Sequence, residues 1–514
     1  MYKHISVILL ILSFSCAYKI LLVFPFPGKS HSMLGEGYVR NLLKAGHEVT
    51  YITPILMKSE SKQLRQIDVS SNLQLALENL LNIESLLKGE VDLGDTSMAM
   101  AMSDDIANHT LWNPAVQRLM MDPKEQFDVV VAEWLFTELY CGFAAVFDCP
   151  LIWSSSMDPH ELVMTLIDEI QNPSYTATHK SGMEAPFTFF QRVKGLWEIF
   201  YVKYLKWSAS GVANKIFNEG YGPALTMRGR LLPSLQEVSH NASLMLGNSH
   251  VSTGRPVRLP QNYIPIAGYH IEEEVKPLPE DIKKIMDEAK HGVIYFSMGS
   301  MLKSATMPDK LKKGFLKMFG ELKQTIIWKF EEELPDLPKN VHMLKWAPQA
   351  SILGHSKCVL FITHGGLLST TEATKSGVPI IGIPMFADQF INIDRAVRRG
   401  FAKKVTLDYN CPNNLKTAIE DIVGDNRYRQ KARELSFIFH HRPTSPAAEL
   451  VHWIEHVVKT NGAPHLRSPA LDVPFYQKFY LDLAAVIFMI LVVLNKLISA
   501  VFRKKSEQKK QKTK

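Results

Sequence analysis

The stretch Trp346 to Gln389, WAPQASILGHSKCVLFITHGGLLSTTEATKSGVPIIGIPMFADQ, decides the fold of this chain. Its apolar run CVLFIT enters a Gly-Gly turn, and LLSTTEATKSG then has the composition of a short helix. The next run, VPIIGIP, predicts another buried strand. A helix that begins directly after a strand points its free N-terminal amides back over the turn, where they can bind a phosphate. The stretch therefore predicts part of a parallel αβ sheet with an anion site at its edge.

The polar residues of this stretch fall at strand ends and helix starts, and together they suit a nucleotide sugar. Trp346 offers a flat ring for a base, and His364 can donate to a diphosphate. Glu372 can accept from both hydroxyls of a ribose, while Asp388 and Gln389 can bond sugar hydroxyls. The alternative is an ordinary αβ turn with a capping serine and a core tryptophan.

The chain resembles the UDP-glycosyltransferase family, and within it the membrane-anchored animal type, including that of insects. The family's signature spans 44 residues with Trp first, Gln fourth, His nineteenth, Glu twenty-seventh and Asp-Gln last, and those places are held here by Trp346, Gln349, His364, Glu372, Asp388 and Gln389. The resemblance extends from about residue 19 to the C-terminus. Leu367 and Leu368 depart from the pattern, because many relatives have a polar or aromatic residue and then Asn; Ser369 keeps the next hydroxyl.

Strands alternating with helices divide the body into two halves. The first half predicts strands in KILLVFP, HEVTYIT, FDVVVAE and CPLIWSS, and the second in GVIYFSMGS, QTIIWKF, VHMLKW, CVLFITHGG, VPIIGIP and FAKKVT. We predict two Rossmann-like domains, 18–265 and 266–460, with the proline-bearing stretch 255–281 as linker. The resemblance implies that they face each other across a cleft in the α/β arrangement called GT-B. Loops at the carboxyl ends of the strands should line that cleft.

His31 and Glu133 are the catalytic candidates, because each follows or closes a strand of the first domain on the cleft side. A histidine bonded to a carboxylate is held in one tautomer and becomes a better base. The resemblance implies that His31 takes the acceptor proton with help from Glu133, where many relatives have Asp. Asp128, at the start of the same strand, should face the opposite end. A surface histidine that caps a helix is the alternative for His31.

The resemblance implies an inverting transfer from a UDP-sugar, which is a co-substrate, so that no cofactor is expected. Ser300, His364 and the amides of Gly365 and Gly366 are placed to stabilise the departing UDP. The chain contains no Asp-x-Asp pair to hold a metal ion, and we therefore predict a metal-independent enzyme. Gln389 favours glucose as the sugar, and Lys329 is the cation that could favour glucuronate instead.

The acceptor is predicted less directly, as a small lipophilic alcohol or phenol in a detoxification reaction. Residues 157–235, which include MEAPFTFFQRVKGLWEIFYVKYLKW, could line an acceptor pocket, but most of them are predicted to be core or surface. A luminal binding protein that has the same fold without turnover is a further alternative. A homo-oligomer is possible.

The two ends of the chain predict membrane insertion. Residues 1–17 have the pattern of a signal peptide, and 461–482 precede an apolar run, 483–502, of bilayer-spanning length. The tail 503–514 has seven Lys or Arg and one Glu, a net +6, so it should be cytosolic. Lys510 and Lys512 resemble a dilysine retrieval signal. We therefore expect a single-pass type I protein of the endoplasmic reticulum membrane with a luminal body.

Charge and cysteine content exclude other classes. Because the tail holds most of the net charge of +7, the body is nearly neutral and gives no case for nucleic-acid binding. Five cysteines in 514 residues make neither a disulfide framework nor a metal-ligand pattern. Asn108 and Asn241 begin glycosylation sequons, which are usable if they face the lumen.

Overall fold

The structure is a computed structural model that describes residues 17–75, 83–88, 94–300 and 304–512. The chain divides into two compact units, Met1–Arg467 and Ser468–Lys514. Both sheets belong to the first unit. The signal peptide predicted at 1–17 lies outside the described residues except for its last position, so it stays a prediction.

Seven parallel strands form the first sheet, in the order β3-β2-β1-β4-β5-β6-β7. The strands are β1 (Lys19–Val23), β2 (Glu48–Thr53), β3 (Leu64–Asp68), β4 (Val129–Trp134), β5 (Leu151–Ser155), β6 (Leu244–Gly247) and β7 (Tyr263–Pro265). The helices of this half are α1 (Lys29–Lys44), α2 (Ile83–Lys88), α3 (Thr96–Leu111), α4 (Pro114–Met121), α5 (Gly142–Phe147), α6 (Glu161–Met164), α7 (Phe189–Met227) and α8 (Leu235–Ser239). β4 and β5 are buried over their whole length, which is why they lack polar alternation.

Six parallel strands form the second sheet, in the order β10-β9-β8-β11-β12-β13. The strands are β8 (Val293–Ser297), β9 (Thr325–Lys329), β10 (Val341–Leu344), β11 (Cys358–Thr363), β12 (Ile380–Gly382) and β13 (Ala402–Lys404). The helices are α9 (Glu280–Glu288), α10 (Asp309–Gly320), α11 (Gln349–Gly354), α12 (Leu367–Ser376), α13 (Gln389–Arg398), α14 (Cys411–Gly424), α15 (Asn426–His440) and α16 (Pro446–Lys459). Short 3₁₀ helices lie at Ser70–Leu75, Leu139–Cys141, Ser304–Thr306, Pro464–Leu466 and Pro469–Asp472.

All ten strands predicted from the sequence are present, and three others were not predicted. β3 and β7 lie at the two edges of the first sheet, and β6 is next to β7. β7 lies inside the predicted linker 255–281, so this stretch is in part a strand of the first sheet. The four cysteines beyond residue 16 are free thiols, in agreement with the sequence analysis.

Helix α16 follows the second sheet in the chain but packs on the first. Its residues Leu450, Ile454 and Val457 belong to the apolar cluster that contains Ile20 and Leu22 of β1. The domain boundaries 18–265 and 266–460 stay a prediction. They assign α16 to the second domain, although α16 packs on the sheet of the first. The chain therefore passes between the two sheets twice.

The second unit contains α17 (Phe475–Lys478) and α18 (Leu481–Lys512). Among the described residues, Leu481–Ser506 is the one helical stretch that is long and apolar enough to cross a membrane. It includes the run 483–502 that was predicted to do so.

Candidate active site

His31 and Glu133 form a hydrogen-bonded pair at the carboxyl ends of two neighbouring strands of the first sheet, β1 and β4. His31 is the third residue of α1, directly after β1, and Glu133 lies near the carboxyl end of β4. The Nδ1–H of His31 donates to Oε1 of Glu133, and the two atoms are 2.5 Å apart. Because the proton is on Nδ1, Nε2 keeps a lone pair that can accept a proton from another molecule. The fold thus joins two residues that are 102 positions apart.

The surroundings of this pair distinguish the two side chains. His31 lines the cleft and packs on the ring of Phe26, with ring centroids 4.5 Å apart. Glu133 is 1% exposed, and its Oε2 has no hydrogen-bond partner among the described residues. Only the histidine can therefore touch an acceptor, while Glu133 can fix its tautomer. Asp128 lies at the opposite end of β4, where it accepts a bond of 2.7 Å from the backbone N–H of Lys19.

The turn between β11 and α12 has the geometry expected of an anion site. Gly366 is the N-cap of α12, so the first backbone N–H groups of this helix lack intrahelical partners. Gly365 has a φ of 89°, and a Cβ at this position would clash with Ile393. Both the left-handed backbone and the close packing require glycine here. The predicted role of the Gly365 amide is not met, because its N–H already donates to Oγ1 of Thr363 at 3.2 Å. The amides of Gly366 and of the first residues of α12 can approach a ligand without an intervening side chain.

His364 lies against a second close backbone approach. A Cβ on Gly299 would lie 2.5 Å from Cε1 of His364, so glycine at this position makes room for the imidazole. Burial, together with the charge of Lys329, lowers the pKa of His364 to about 4. The ring is therefore neutral at physiological pH and can donate one N–H to an anion. Ser300 lines the same cleft.

Gln349, Ser369 and Glu372 form one polar cluster between α11 and α12. The side-chain N–H groups of Gln349 donate to Oγ of Ser369, at 3.1 Å, and to Oε2 of Glu372. Glu372 lines the cleft although it is only 6% exposed. Burial raises the pKa of Glu372 to about 7 against the opposing effect of the bond from Gln349. A hydroxyl-bearing ligand would stabilise its ionised form.

Trp346 is a cleft residue and not a core tryptophan. Its side chain is 53% exposed, and Nζ of Lys29 lies 3.4 Å from the ring centroid. Lys29 belongs to α1, so this contact joins the two halves. Nζ of Lys329 is 5.7 Å from the same centroid. The indole can stack with a flat base once the Lys29 side chain moves aside.

Asp388 and Gln389 lie at the start of α13 and line the cleft. Asp388 accepts a bond of 2.9 Å from the side chain of Asn392, and burial raises its pKa. Oε1 of Gln389 accepts from the backbone N–H groups of Met385 and Phe386, at 2.9 and 3.2 Å. Because this oxygen holds the preceding turn, the amide N–H groups of Gln389 remain to bond a sugar hydroxyl.

The two leucines that depart from the family pattern have apolar surroundings. Leu367 is 7% exposed, and Leu368 packs against the cluster around β1. Both also line the cleft. Leu368 therefore contributes apolar contact between the two halves at a place where many relatives have a polar side chain.

The candidate residues from both halves line one cavity of about 1000 Å³. All of them line it except Glu133, which supports His31 from behind, and Gly365, whose backbone forms the turn. Its apolar wall, to which Met98, Met102 and Phe136 contribute, was not predicted from the sequence. Phe136 has a φ of 56°, unusual for an aromatic residue, and it follows β4 closely. That position after a strand is the signal that could have identified it.

A cluster of His160, Glu161 and His179 is close enough to hold a metal ion, since one ligand atom from each lies within 4.8 Å of the others. Within it, Nδ1–H of His179 donates to Glu161 at 2.5 Å, and Nδ1 of His160 accepts from the backbone N–H of Leu162 and so caps α6. Nε2 of His160 is buried without a hydrogen-bond partner among the described residues. None of the three residues belongs to the signature stretch. Metal independence stays a prediction.

Solved structures with the same architecture identify the fold. The chain aligns with the calicheamicin glycosyltransferase CalG4 at a TM-score of 0.58 and 16% identity, covering 86% of this chain and 99% of that one. The glycosyltransferase of kitacinnamycin gives a TM-score of 0.57 at 17% identity, covering 86% and 98%. Two parallel sheets with a shared cleft and these neighbours define the GT-B fold, as the family resemblance implied.

The chain belongs to the UDP-glucoronosyl and UDP-glucosyl transferase family, whose model matches residues 19–513. It is therefore a UDP-glycosyltransferase that uses a UDP-sugar. UDP-glucosyltransferase 2 of Dactylopius coccus is 33% identical over 92% of this chain and 90% of its own length. UDP-glucuronosyltransferase 2B1 of Rattus norvegicus is 30% identical over 76% of this chain and 72% of its own.

Proposed function

We propose that this enzyme transfers glucose from UDP-glucose to a hydroxyl of a small lipophilic acceptor, with inversion of the anomeric carbon and without a metal ion. The observation that carries the proposal is the His31–Glu133 bond at the wall of the cavity that also contains Glu372 and Gln389. A general base and a set of donor-binding side chains thus share one enclosed space.

The reaction follows from the protonation states of these groups. Nε2 of His31 removes the proton of the acceptor hydroxyl, and the oxygen attacks the anomeric carbon from the face opposite the diphosphate. The bond from that carbon to the diphosphate oxygen breaks, and its electron pair leaves with UDP. Glu133 stabilises the imidazolium until the proton passes to solvent. The neutral His364, the Ser300 hydroxyl and the amide of Gly366 at the start of α12 bond the departing diphosphate.

We expect Glu133→Gln to lower kcat by about ten- to a hundredfold and to change UDP affinity little. The amide removes the charge that stabilises the imidazolium and can bond Nδ1 in the wrong tautomer. Steady-state kinetics at saturating UDP-glucose, with UDP binding measured by calorimetry, checks this. Glu133→Asp retains the charge on a shorter side chain and should lie between the two. If Glu133→Gln weakened UDP binding and left kcat unchanged, the residue would belong to the donor site.

Glucose is favoured as donor sugar by the surroundings of Lys329, the cation that the sequence suggested for glucuronate. Nζ of Lys329 donates to the carbonyl of Gly299 at 2.7 Å and to Glu331 at 3.0 Å, so a carboxylate already neutralises its charge. A glucuronate carboxylate would have to compete with Glu331 or remain buried without a partner. Because Lys329 does line the cleft, glucuronate is the alternative donor.

We therefore expect kcat/KM for UDP-glucose to exceed that for UDP-glucuronate by at least about tenfold on the same acceptor. Kinetics with both donors on one phenol measures the ratio. Lys329→Met should leave the order unchanged, and Lys357→Met is a matched control outside the cavity. A preference for glucuronate that Lys329→Met abolished would refute glucose and establish the alternative.

The acceptor is proposed to be lipophilic because its side of the cavity is apolar. Met98, Met102 and Phe136 line the same cavity as His31 and, like it, belong to the first half. Flexible methionines adapt to acceptors of different shape, as a detoxification enzyme requires. A phenol or small alcohol can place its hydroxyl at His31 while its apolar part contacts these residues.

For location we propose a type I protein of the endoplasmic reticulum membrane, with α18 as the membrane span, a cytosolic basic tail and a luminal body. The excess of positive charge after residue 502 supports this orientation. Asn241 is the better candidate for glycosylation, because it is exposed between α8 and β6. Asn108 is partly buried within α3, and Thr110 of its sequon is fully buried.

One experiment tests the function as a whole. Microsomes containing the protein are incubated with labelled UDP-glucose or UDP-glucuronate and a panel of phenols, and glycoside formation is measured. Glucoside formed without added metal and in the presence of a chelator supports the proposal. Binding of UDP-glucose without any product would identify a non-catalytic binding protein.

A further inference from the structure

A second histidine–carboxylate pair lies at the wall of the cavity, and the proposed reaction does not use it. Glu161 accepts two hydrogen bonds from His179, one from Nδ1–H at 2.5 Å and one from the backbone N–H at 3.0 Å. The side chains of Glu161 and His179 are 8% and 6% exposed. Burial opposes ionisation, but the bond from His179 prevails and keeps the pKa of Glu161 below its usual value. The carboxylate is therefore ionised and fixes the ring proton on Nδ1.

The other ring nitrogen of His179 orients a hydroxyl at the cavity wall. Nε2 lies 3.1 Å from Oγ1 of Thr96, the first residue of α3. With the ring proton on Nδ1, Nε2 accepts, so the Thr96 hydroxyl donates to it. The oxygen of Thr96 keeps lone pairs, and both residues line the cavity. A ligand group that meets this oxygen therefore has to be a donor.

A hydroxyl further along the same helix is buried without a protein partner. Ser103 comes seven residues after Thr96 in α3, which places both on one face of the helix. It lines the cavity and is 3% exposed. Its Oγ has no hydrogen-bond partner among the described residues. A buried hydroxyl without a partner costs free energy that a ligand hydroxyl restores. We define the distal hydroxyl site as Thr96, Ser103 and His179.

The distal hydroxyl site and the catalytic pair belong to different strands of one sheet. His31 follows β1, whereas the segment after β5 carries Glu161, and β4 lies between these two strands. Two strand spacings of about 4.8 Å separate the two ends by roughly 10 Å. Phe136 follows the middle strand, and its ring meets that of His179 with centroids 6.1 Å apart. The cavity thus has a polar group at each end of an apolar wall.

We propose that the acceptor is a lipophilic molecule with two hydroxyls, of which one is glycosylated at His31 and the other donates to Thr96. This rests on the transfer reaction proposed above and names the class of acceptor for it. Glu161 and His179 are positioning residues, because they keep the Thr96 oxygen turned to accept. A ring system that holds its hydroxyls roughly 10 Å apart satisfies both ends. The product then carries one sugar and one unmodified hydroxyl.

Three acceptors of nearly equal size test the distal hydroxyl site. para,para′-Biphenol has a hydroxyl at each end, para-phenylphenol has one, and the monomethyl ether of biphenol has an ether oxygen in place of the second donor. The affinity of the full chain in detergent for each acceptor is measured by calorimetry in the presence of UDP and a chelator. We expect biphenol to bind about tenfold more tightly than either of the others, the contribution of one buried hydrogen bond.

Thr96→Val removes the accepting oxygen at nearly the same side-chain volume. It should reduce the preference for biphenol over para-phenylphenol to about one. Thr96→Ser keeps the hydroxyl and should retain the preference, as should Thr417→Val, which makes the same change at an exposed position on α14. Each acceptor enters detergent equally with every variant, so a change in the ratio of affinities reports the protein.

Glu161→Gln tests the direction of the bonds. The carboxylate accepts two bonds from His179, but an amide can accept only one and has to donate the other. When its oxygen keeps the backbone N–H, its NH₂ group donates to Nδ1, and Nε2–H then donates to Thr96. The Thr96 hydroxyl is released to donate to the ligand, so the variant should bind biphenol and its monomethyl ether about equally. Full retention of the wild-type preference would contradict the positioning role of Glu161.

Failure of the distal hydroxyl site and failure of the transfer reaction give different results. Equal affinity of the wild type for all three acceptors, a preference for the monomethyl ether, or a biphenol preference that survives Thr96→Val would overturn the site. The first two outcomes need no variant, so the test does not depend on the folding of one. The expected affinities without any glycoside from biphenol and either UDP-glucose or UDP-glucuronate would refute the transfer reaction and leave the site established.

Discussion

His31→Ala is expected to lower kcat by about a hundredfold to ten-thousandfold, the usual contribution of a general base. His179 also lines the cavity and its Nδ1–H is held by the buried Glu161, but its Nε2 bonds the Thr96 hydroxyl at 3.1 Å, whereas Nε2 of His31 is left to accept a proton. The variant should bind UDP with unchanged affinity, because the donor-binding residues lie on the second half. Turnover of a phenol at saturating UDP-glucose and UDP calorimetry on the same preparation measure both quantities.

A matched control for this prediction is His109→Ala. His109 is exposed near the end of α3 and does not line the cavity, so its removal should not change kcat. Unchanged turnover in His31→Ala would exclude a catalytic role for the histidine. Loss of both turnover and UDP binding would point to misfolding. In that case His31→Gln, which keeps a polar side chain of similar size, should bind UDP but still lack turnover.

Glu372→Ala is expected to weaken UDP-glucose binding by roughly a hundredfold. Two hydroxyl-to-carboxylate bonds at about 1.5 kcal/mol each amount to about 3 kcal/mol, and about 1.4 kcal/mol corresponds to a factor of ten. The reacting atoms lie elsewhere, so kcat at saturating donor should change little. Calorimetry with UDP-glucose in the absence of acceptor measures the affinity. Ser376→Ala, at the end of the same helix, serves as control.

The raised pKa of Glu372, about 7 in the empty site, adds a pH dependence to that binding. The ribose hydroxyls donate to the carboxylate, so binding favours the ionised form and affinity falls when the carboxyl is protonated. Between pH 8 and pH 6 the affinity for UDP-glucose should decrease by about tenfold. His364, with a pKa of about 4, stays neutral throughout this range. Glu372→Gln should bind more weakly with little pH dependence; a slope equal to that of wild type would assign the titration to another group.

The fold could be predicted from the sequence where strands are buried on both faces. Strands such as β4 and β11 read as largely apolar runs that end in a turn, and they were found. β6, LMLG, is equally buried but was missed, because four apolar residues are too few to indicate a strand. β3, LRQID, has no fully buried residue at the sheet edge, so its pattern is polar. β7 has three residues and ends in proline, which an edge strand tolerates but which reads as a linker.

The candidate site could be predicted where residue type and strand position coincide, as they do at His31 and at Glu372. Contacts between distant parts of the chain could not be predicted. Three of them depend on side-chain packing. Lys29 lies over the ring of Trp346, the side-chain oxygen of Gln389 bonds the preceding turn, and Glu331 neutralises Lys329. The apolar wall was missed because methionines of an amphipathic helix such as Met98 and Met102 read as core.

The return of α16 to the first sheet constrains how such enzymes can exchange their halves. A chimaera made by crossing over near residue 266 would combine the acceptor half of one parent with Leu450, Ile454 and Val457 of the other, and so place foreign side chains in the core of the first sheet. Recombination that retains stability has to exchange the stretch between two crossovers, near 266 and near 445. The second half, from about residue 266 to about residue 445, is thus inserted between two parts of the first half, and it can be exchanged between relatives as one unit.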